Sequence, residues 1–152
     1  MNRMLSILML ALLVGFGCRQ SDQFSESQKA AVQVGIKHML QQYSDSVASH
    51  DLLASLDFFH NSPDFHWSYK GSVFSYDSLS SRIKWASSQY TAVTIQWDIV
   101  SITPFTPDSA SLVARYLEGT TSQNSSDTIL GLVRANMIRV SGQWKFLNGV
   151  SE

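Results

Sequence analysis

Apolar residues recur at Val32, Ile36, Met39, Leu40, Tyr43 and Val47, with polar residues between them. Steps of three and four place them on one stripe of a 3.6-residue helix, which predicts a long helix over residues 25–49. Ser25, followed three residues later by Gln28, reads as a capping box at its start. Gly35 weakens this helix by about 1 kcal/mol relative to alanine. A shorter helix is expected over residues 51–59, with Leu52, Leu56 and Phe59 on one face, and Asn61-Ser62-Pro63-Asp64 ends it. Phe65, Trp67 and Tyr69 then alternate with polar residues as in a short strand, turned by Lys70-Gly71. A third helix is expected over residues 76–88, with Leu79, Ile83 and Ala86 on one side.

After Gln89 the period changes to two. Val93, Ile95, Trp97 and Ile99 alternate with polar residues, and Pro104 and Pro107 are expected to bracket a turn. Ala110, Leu112, Ala114 and Tyr116 continue the alternation. A polar loop over 120–127, a long strand over 129–140, a tight turn at Ser141-Gly142 and a last strand over 144–150 follow. Four consecutive strands with short links predict an antiparallel sheet. Three leading helices with one small strand among them, then a curled sheet, define an α+β class. Residues 130–140 are apolar at both parities, so one side is expected on the long helix and the other on a homodimer surface.

The N-terminus has its own pattern. Arg3 precedes an uncharged run from Leu5 to Phe16, then Gly17 and Cys18, the single cysteine of the chain. A dozen apolar residues are too few to span a bilayer, which takes about 20, but suit the apolar region of a secretory leader. The segment resembles a bacterial lipoprotein signal, although Gly15 and Phe16 depart from the usual residues before the cysteine. That resemblance implies cleavage before Cys18 and lipidation of Cys18. The expected organisation is a leader over 1–17, lipidated cysteine and tether over 18–24, and one domain over 25–152. Two or more acyl chains hold a protein on a bilayer where one does not. With Arg19 rather than Asp after the cysteine, the resemblance implies the outer membrane, facing the periplasm where one exists. Plain secretion is the competing expectation.

Composition narrows the chemistry. The 152 residues carry a formal charge of −1, and 15% of them are charged. No positive field exists to hold nucleic acid. One cysteine excludes an internal disulfide and a multi-thiolate zinc site. His38, His50, His60 and His66 lack the spacing of a helical ligand pair, so no metal is expected. No Gly-x-Ser-x-Gly elbow and no glycine-rich phosphate loop is present, so no cofactor is expected either.

Asp64-Phe65 entering a strand, Tyr69-Lys70-Gly71 at its turn and Gly142-Gln143-Trp144-Lys145-Phe146 opening the last strand resemble the nuclear transport factor 2-like superfamily. The nearest likeness is to its secreted bacterial members of unknown function, and beyond them to SnoaL-like and ketosteroid-isomerase-like proteins. The resemblance implies a cone, in which a bent sheet wraps the long helix around an open-ended pocket lined by aromatics. It also implies dimerisation through the outer sheet face in many members, and a pocket Asp or His in the enzymatic ones. The last strand here reads Leu147-Asn148-Gly149-Val150-Ser151, without the histidine often found there.

A carboxylate inside such a pocket would be desolvated and driven toward neutrality, fit for moving a proton. Asp98 is the first candidate. Its parity is opposite to that of Val93, Ile95, Trp97 and Ile99, so the competing expectation pairs it with Arg115 on the outside. The other pocket candidates are Trp67, Tyr69, Trp97, Glu118, Arg134 and Asn136, with Arg134 a buried cation that Asp98, Glu118 or an anionic ligand would satisfy. The expected function is binding of a small apolar or weakly anionic molecule, or a non-catalytic accessory role in the envelope. A SnoaL-like isomerase, cyclase or dehydratase and a structural dimerisation module are the alternatives.

Overall fold

The computed structural model describes residues 24–49 and 51–152. The leader, Cys18 and all but the last residue of the tether lie outside the described residues. Among the described residues, no helix is long and apolar enough to cross a membrane.

Helix α1 runs Glu26–Ala48. Ser25 Oγ accepts from the Gln28 amide at 3.2 Å, and Gln28 Oε1 accepts from the Ser25 amide at 2.8 Å, so two amides left free at the helix start are satisfied. The expected stripe is the buried one: Val32, Ile36, Met39, Leu40 and Val47. Residues 51–59 form no α-helix. A five-residue 3-10 helix, Ala54–Phe58, takes their place. Asp51 Oδ1 accepts from the Ala54 amide at 3.0 Å, and Ser55 donates to the Leu52 carbonyl at 2.6 Å. These local bonds favour a tight turn over a propagating helix.

Strands β1 (His66–Tyr69) and β2 (Ser72–Phe74) form a hairpin closed by Lys70 and Gly71, both at positive φ. Helix α2 (Tyr76–Gln89) follows. Then come β3 (Ala92–Thr106), β4 (Ser109–Thr121), β5 (Ser126–Val140) and β6 (Gln143–Ser151). The six strands make one sheet in the order β2-β1-β6-β5-β4-β3. All neighbours are antiparallel except β1 and β6, where His66 pairs with Asn148 and Tyr69 with Ser151. That parallel pairing joins the early hairpin to the last strand, and no local pattern announces it.

Pro104 does not begin a turn; β3 continues through it, and Pro107-Asp108 make the bend. Strand β3 is the sheet edge, so the amide missing from proline breaks no second ladder. Register shifts between Ile99 and Ser101, between Pro104 and Thr106, and between Asn136 and Met137 kink β3 and the β5–β6 pair. Such bulges bend and twist a sheet. The first one also changes the parity: Ile99 faces inward, Val100 is the extra residue, and Ile102 is buried again.

The core lies between α1 and the concave face. Ile36, Leu40, Leu112, Val133, Met137 and Phe146 are almost fully enclosed, each worth roughly 1.5–3 kcal/mol of apolar transfer. Gly35 is required by contact rather than by dihedral angle, because a Cβ there would stand 2.6 Å from Trp144 Nε1. Gly35→Ala should therefore destabilise the chain by about 1–3 kcal/mol through overpacking, although alanine is the better helix former. Urea unfolding followed by tryptophan fluorescence checks this; a stabilised variant would contradict the contact.

Candidate functional site

The site follows from strand alternation. On one face, Ile95, Glu118 and Ile129 stand side by side across β3, β4 and β5; Trp97, Tyr116 and Gly131 form the next row, and Ile99, Ala114, Val133 and Ser151 the third. This face is concave, and α1 covers only part of it. The remainder walls a cavity of about 320 Å3, closed on the other side by Tyr43 of α1, Trp67 and Tyr69 of β1, and Ile83 and Ala86 of α2. That volume lies at the lower end of small-molecule sites. A larger concavity of about 880 Å3 lies between α1 and the β5–β6 turn, lined by exposed His38, Asp57 and Arg139. The smaller cavity holds the enclosed carboxylate and aromatic wall, and is the candidate site.

The inner end of this cavity is aromatic. Phe59 meets Phe146 at 5.2 Å between ring centroids and Trp67 at 5.7 Å, edge to face in the second case. Tyr43 lies 6.0 Å from Trp97, and Trp97 6.0 Å from Tyr116. Gly131 makes room for Tyr116: a Cβ there would collide with the tyrosine ring and hydroxyl. Trp67 Nε1 donates to Ser151 Oγ at 3.0 Å. Trp97 Nε1 is buried without an acceptor among the described residues, a state that costs about 1–3 kcal/mol.

Glu118 is the acidic group of this wall. Burial pushes its carboxyl above the usual carboxylate range, and the Arg82 guanidinium partly opposes the rise. It makes no hydrogen bond or salt bridge among the described residues. Burial, the Glu118 charge and Tyr116 raise the Tyr43 hydroxyl in turn, so Tyr43 stays a neutral phenol. Burial, Glu118 and Tyr69 likewise raise Tyr116, and a hydrogen bond to Ser151 opposes them. At the mouth, Arg82 lies over the rings of Tyr69 and Phe74 at 5.7 and 5.4 Å. Asp127 also lines the cavity, and its carboxylate accepts from the Thr128 amide at 2.8 Å.

Of the residues singled out in the sequence, Trp67, Tyr69, Trp97 and Glu118 line this cavity. Asp98, Arg134 and Asn136 do not: their parity sends them to the outer, convex face. Asp98 Oδ2 accepts from Arg115 at 3.1 Å, Arg134 donates to Glu152 at 3.2 Å, and Asn136 Nδ2 donates to Asn148 Oδ1 at 2.9 Å. Arg134 is thus an exposed, paired cation rather than a buried one, and exposed pairs of this kind contribute about 0–1 kcal/mol. The outer face also exposes Leu130 at 72% and Leu117 at 41%. Arg82 and Tyr43 were missed as site residues. Arg82 lies three residues after Leu79 and one before Ile83, on the apolar side of α2, and an arginine in that stripe was the available signal. Among the described residues, no group of three His, Cys, Asp or Glu could hold a metal ion.

No family model and no curated protein matches the sequence. Solved structures do match in fold. A scytalone dehydratase-like protein from Novosphingobium aromaticivorans superposes with a TM-score of 0.76 at 15% identity, covering 84% of this chain and 87% of that one. A nuclear transport factor 2-like superfamily protein from Salmonella enterica gives 0.69 at 11% identity over 81% and 91% of the two chains. A hexachlorocyclohexane dehydrochlorinase gives 0.65 at 15% identity over 84% and 88%. The chain has the nuclear transport factor 2-like cone fold, with two α-helices and a 3-10 turn where three helices were expected.

The Glu118 environment has a consequence for stability. The raised carboxyl binds its proton more tightly folded than unfolded, so stability falls as pH rises from the ordinary glutamate value of 4.5 through the folded one. Glu118→Gln should therefore raise the melting temperature at neutral pH, by on the order of 2 °C or more. The gain should vanish in acid below the unfolded value. Thermal unfolding at a series of pH values checks both arms.

Proposed function

We propose that this chain is a lipid-anchored envelope protein whose cone cavity binds a small, mostly apolar molecule. The supporting observation is the cavity itself: an aromatic wall of Tyr43, Trp67, Trp97 and Tyr116 around about 320 Å3, with one enclosed carboxyl at Glu118. Apolar walls supply affinity and a few convergent polar groups supply orientation. Acid–base catalysis is supported less well. The raised carboxyl of Glu118 and the two neutral phenols beside it are an acceptor and donors of separated proton affinity, but among the described residues no hydrogen bond joins Glu118 to either phenol. The dehydratase-like and dehydrochlorinase likenesses concern fold, and at 15% identity they carry no residue roles.

The binding reading is tested by native mass spectrometry of gently purified protein, together with calorimetric titration of 2-naphthylmethanol as a neutral probe. We expect an adduct or a binding isotherm that Ile129→Trp removes by filling the cavity. Ile83→Trp fills it from the opposite wall, in case the first variant disturbs the sheet. Absence of any adduct and of probe binding to the native chain would overturn the reading.

The anchor rests on the sequence over residues 1–18. Cys18→Ser is expected to move the protein from the membrane fraction to the soluble one, or to leave it uncleaved. A membrane-bound variant of the same mature mass would contradict lipidation.

A further inference from the structure

The cavity holds an uneven set of charges. Glu118 is set into the wall between Ile95 and Ile129, its cross-strand neighbours, with no donor satisfying it among the described residues. Asp127 adds a second carboxylate at the mouth, and Arg82 is the cation that lines the same space. Arg82 is exposed, and its guanidinium already rests on the rings of Tyr69 and Phe74. A ligand anion paired there would replace a well-solvated contact and gain little. Arg134, the cation for which an anionic ligand was expected, is on the far face of the sheet and paired with Glu152.

A ligand cation gains more. It would satisfy a carboxylate withdrawn from water, where an unpaired charge is costly. The surrounding rings add to this, because an aromatic face carries negative quadrupolar charge and attracts ammonium groups within about 6 Å of its centroid. Tyr116 is two residues from Glu118 on the same strand and the same face. Trp97 is opposite Tyr116, and so diagonal to Glu118, a separation of about 7–8 Å between such positions. An ammonium group on the Glu118 carboxylate would therefore sit beside both rings, and the apolar remainder would extend toward Tyr43, Phe59 and Trp67.

We propose that the ligand is a small hydrophobic amine, bound as its ammonium ion on Glu118 with its apolar body against Trp97 and Tyr116. This rests on the cavity being a binding site, as argued above, and adds the sign of the ligand's charge. The Glu118 carboxylate, withdrawn from water, draws the cation in, and the exposed Asp127 and Arg82 at the mouth are screened by solvent.

Three probes share one ring system and differ in charge: 2-naphthylmethylamine, 2-naphthylmethanol and 2-naphthoate. Calorimetric titration of the full chain at neutral pH should give the amine at least tenfold tighter binding than the alcohol, with the naphthoate weakest. Glu118→Gln should weaken the amine at least tenfold more than it changes the alcohol. Arg82→Gln should weaken the naphthoate relative to the alcohol and keep the amine the tightest of the three. Equal binding of all three, or naphthoate tightest with the amine indifferent to Glu118→Gln, overturns the amine assignment while the cavity remains a binding site. Binding of none of the three to the native chain removes the cavity reading and the amine assignment together.

Discussion

Strand alternation on a curved sheet is the constraint on which everything else depends. Successive residues of β3, β4 and β5 point to opposite faces, and the cross-strand register puts like with like. Ile95, Glu118 and Ile129 share the inner face; one residue along, Gln96, Leu117 and Leu130 share the outer one. A slip of one position would exchange the two sets. The extra residue at Val100 makes the alternation compatible with curvature, since it turns Ile102 back into the core after the sheet has bent.

Curvature then decides where a cavity can exist. Helix α1 fills the concave side at the end where Ile36, Leu40, Leu112 and Met137 meet. Toward the other end, the wall is built from rings rather than filled by aliphatic side chains. Trp67 packs edge to face on Phe59 and on Phe146 at its inner end, and Tyr43 bridges α1 to Trp97. Rigid rings at fixed angles leave a space that small flexible residues would close. Helix α2, which has no fully buried residue, forms the remaining side with Ile83, Ala86 and Arg82.

The electrostatics follow from the same geometry. Asp98 and Glu118 are both carboxylates in apolar stretches of adjacent strands, but one lies outside beside Arg115 and the other inside beside Tyr116. Solvent screens the first and makes its ion pair nearly neutral in stability. Burial holds the second above its ordinary proton affinity.

Much of the fold was legible in the sequence because it is written in periodicity. The stripe of α1, its Ser25–Gln28 cap, the change to period two after Gln89 and the four-strand antiparallel run are local patterns, and each corresponds to an observed element. Four of the residues that line the cavity, Trp67, Tyr69, Trp97 and Glu118, were legible in the same way, since they stand in or beside alternating stretches. What the sequence determined by itself was therefore the kind and order of elements, because helix and strand periods act over a few residues. Tertiary structure alone decided the parallel pairing of β1 with β6, the sheet face of Arg134 and Asn136, and the approach of Arg82 and Tyr43 to Glu118. Those depend on register, bulges and packing between segments far apart in the chain, and no local pattern encodes the distance between them.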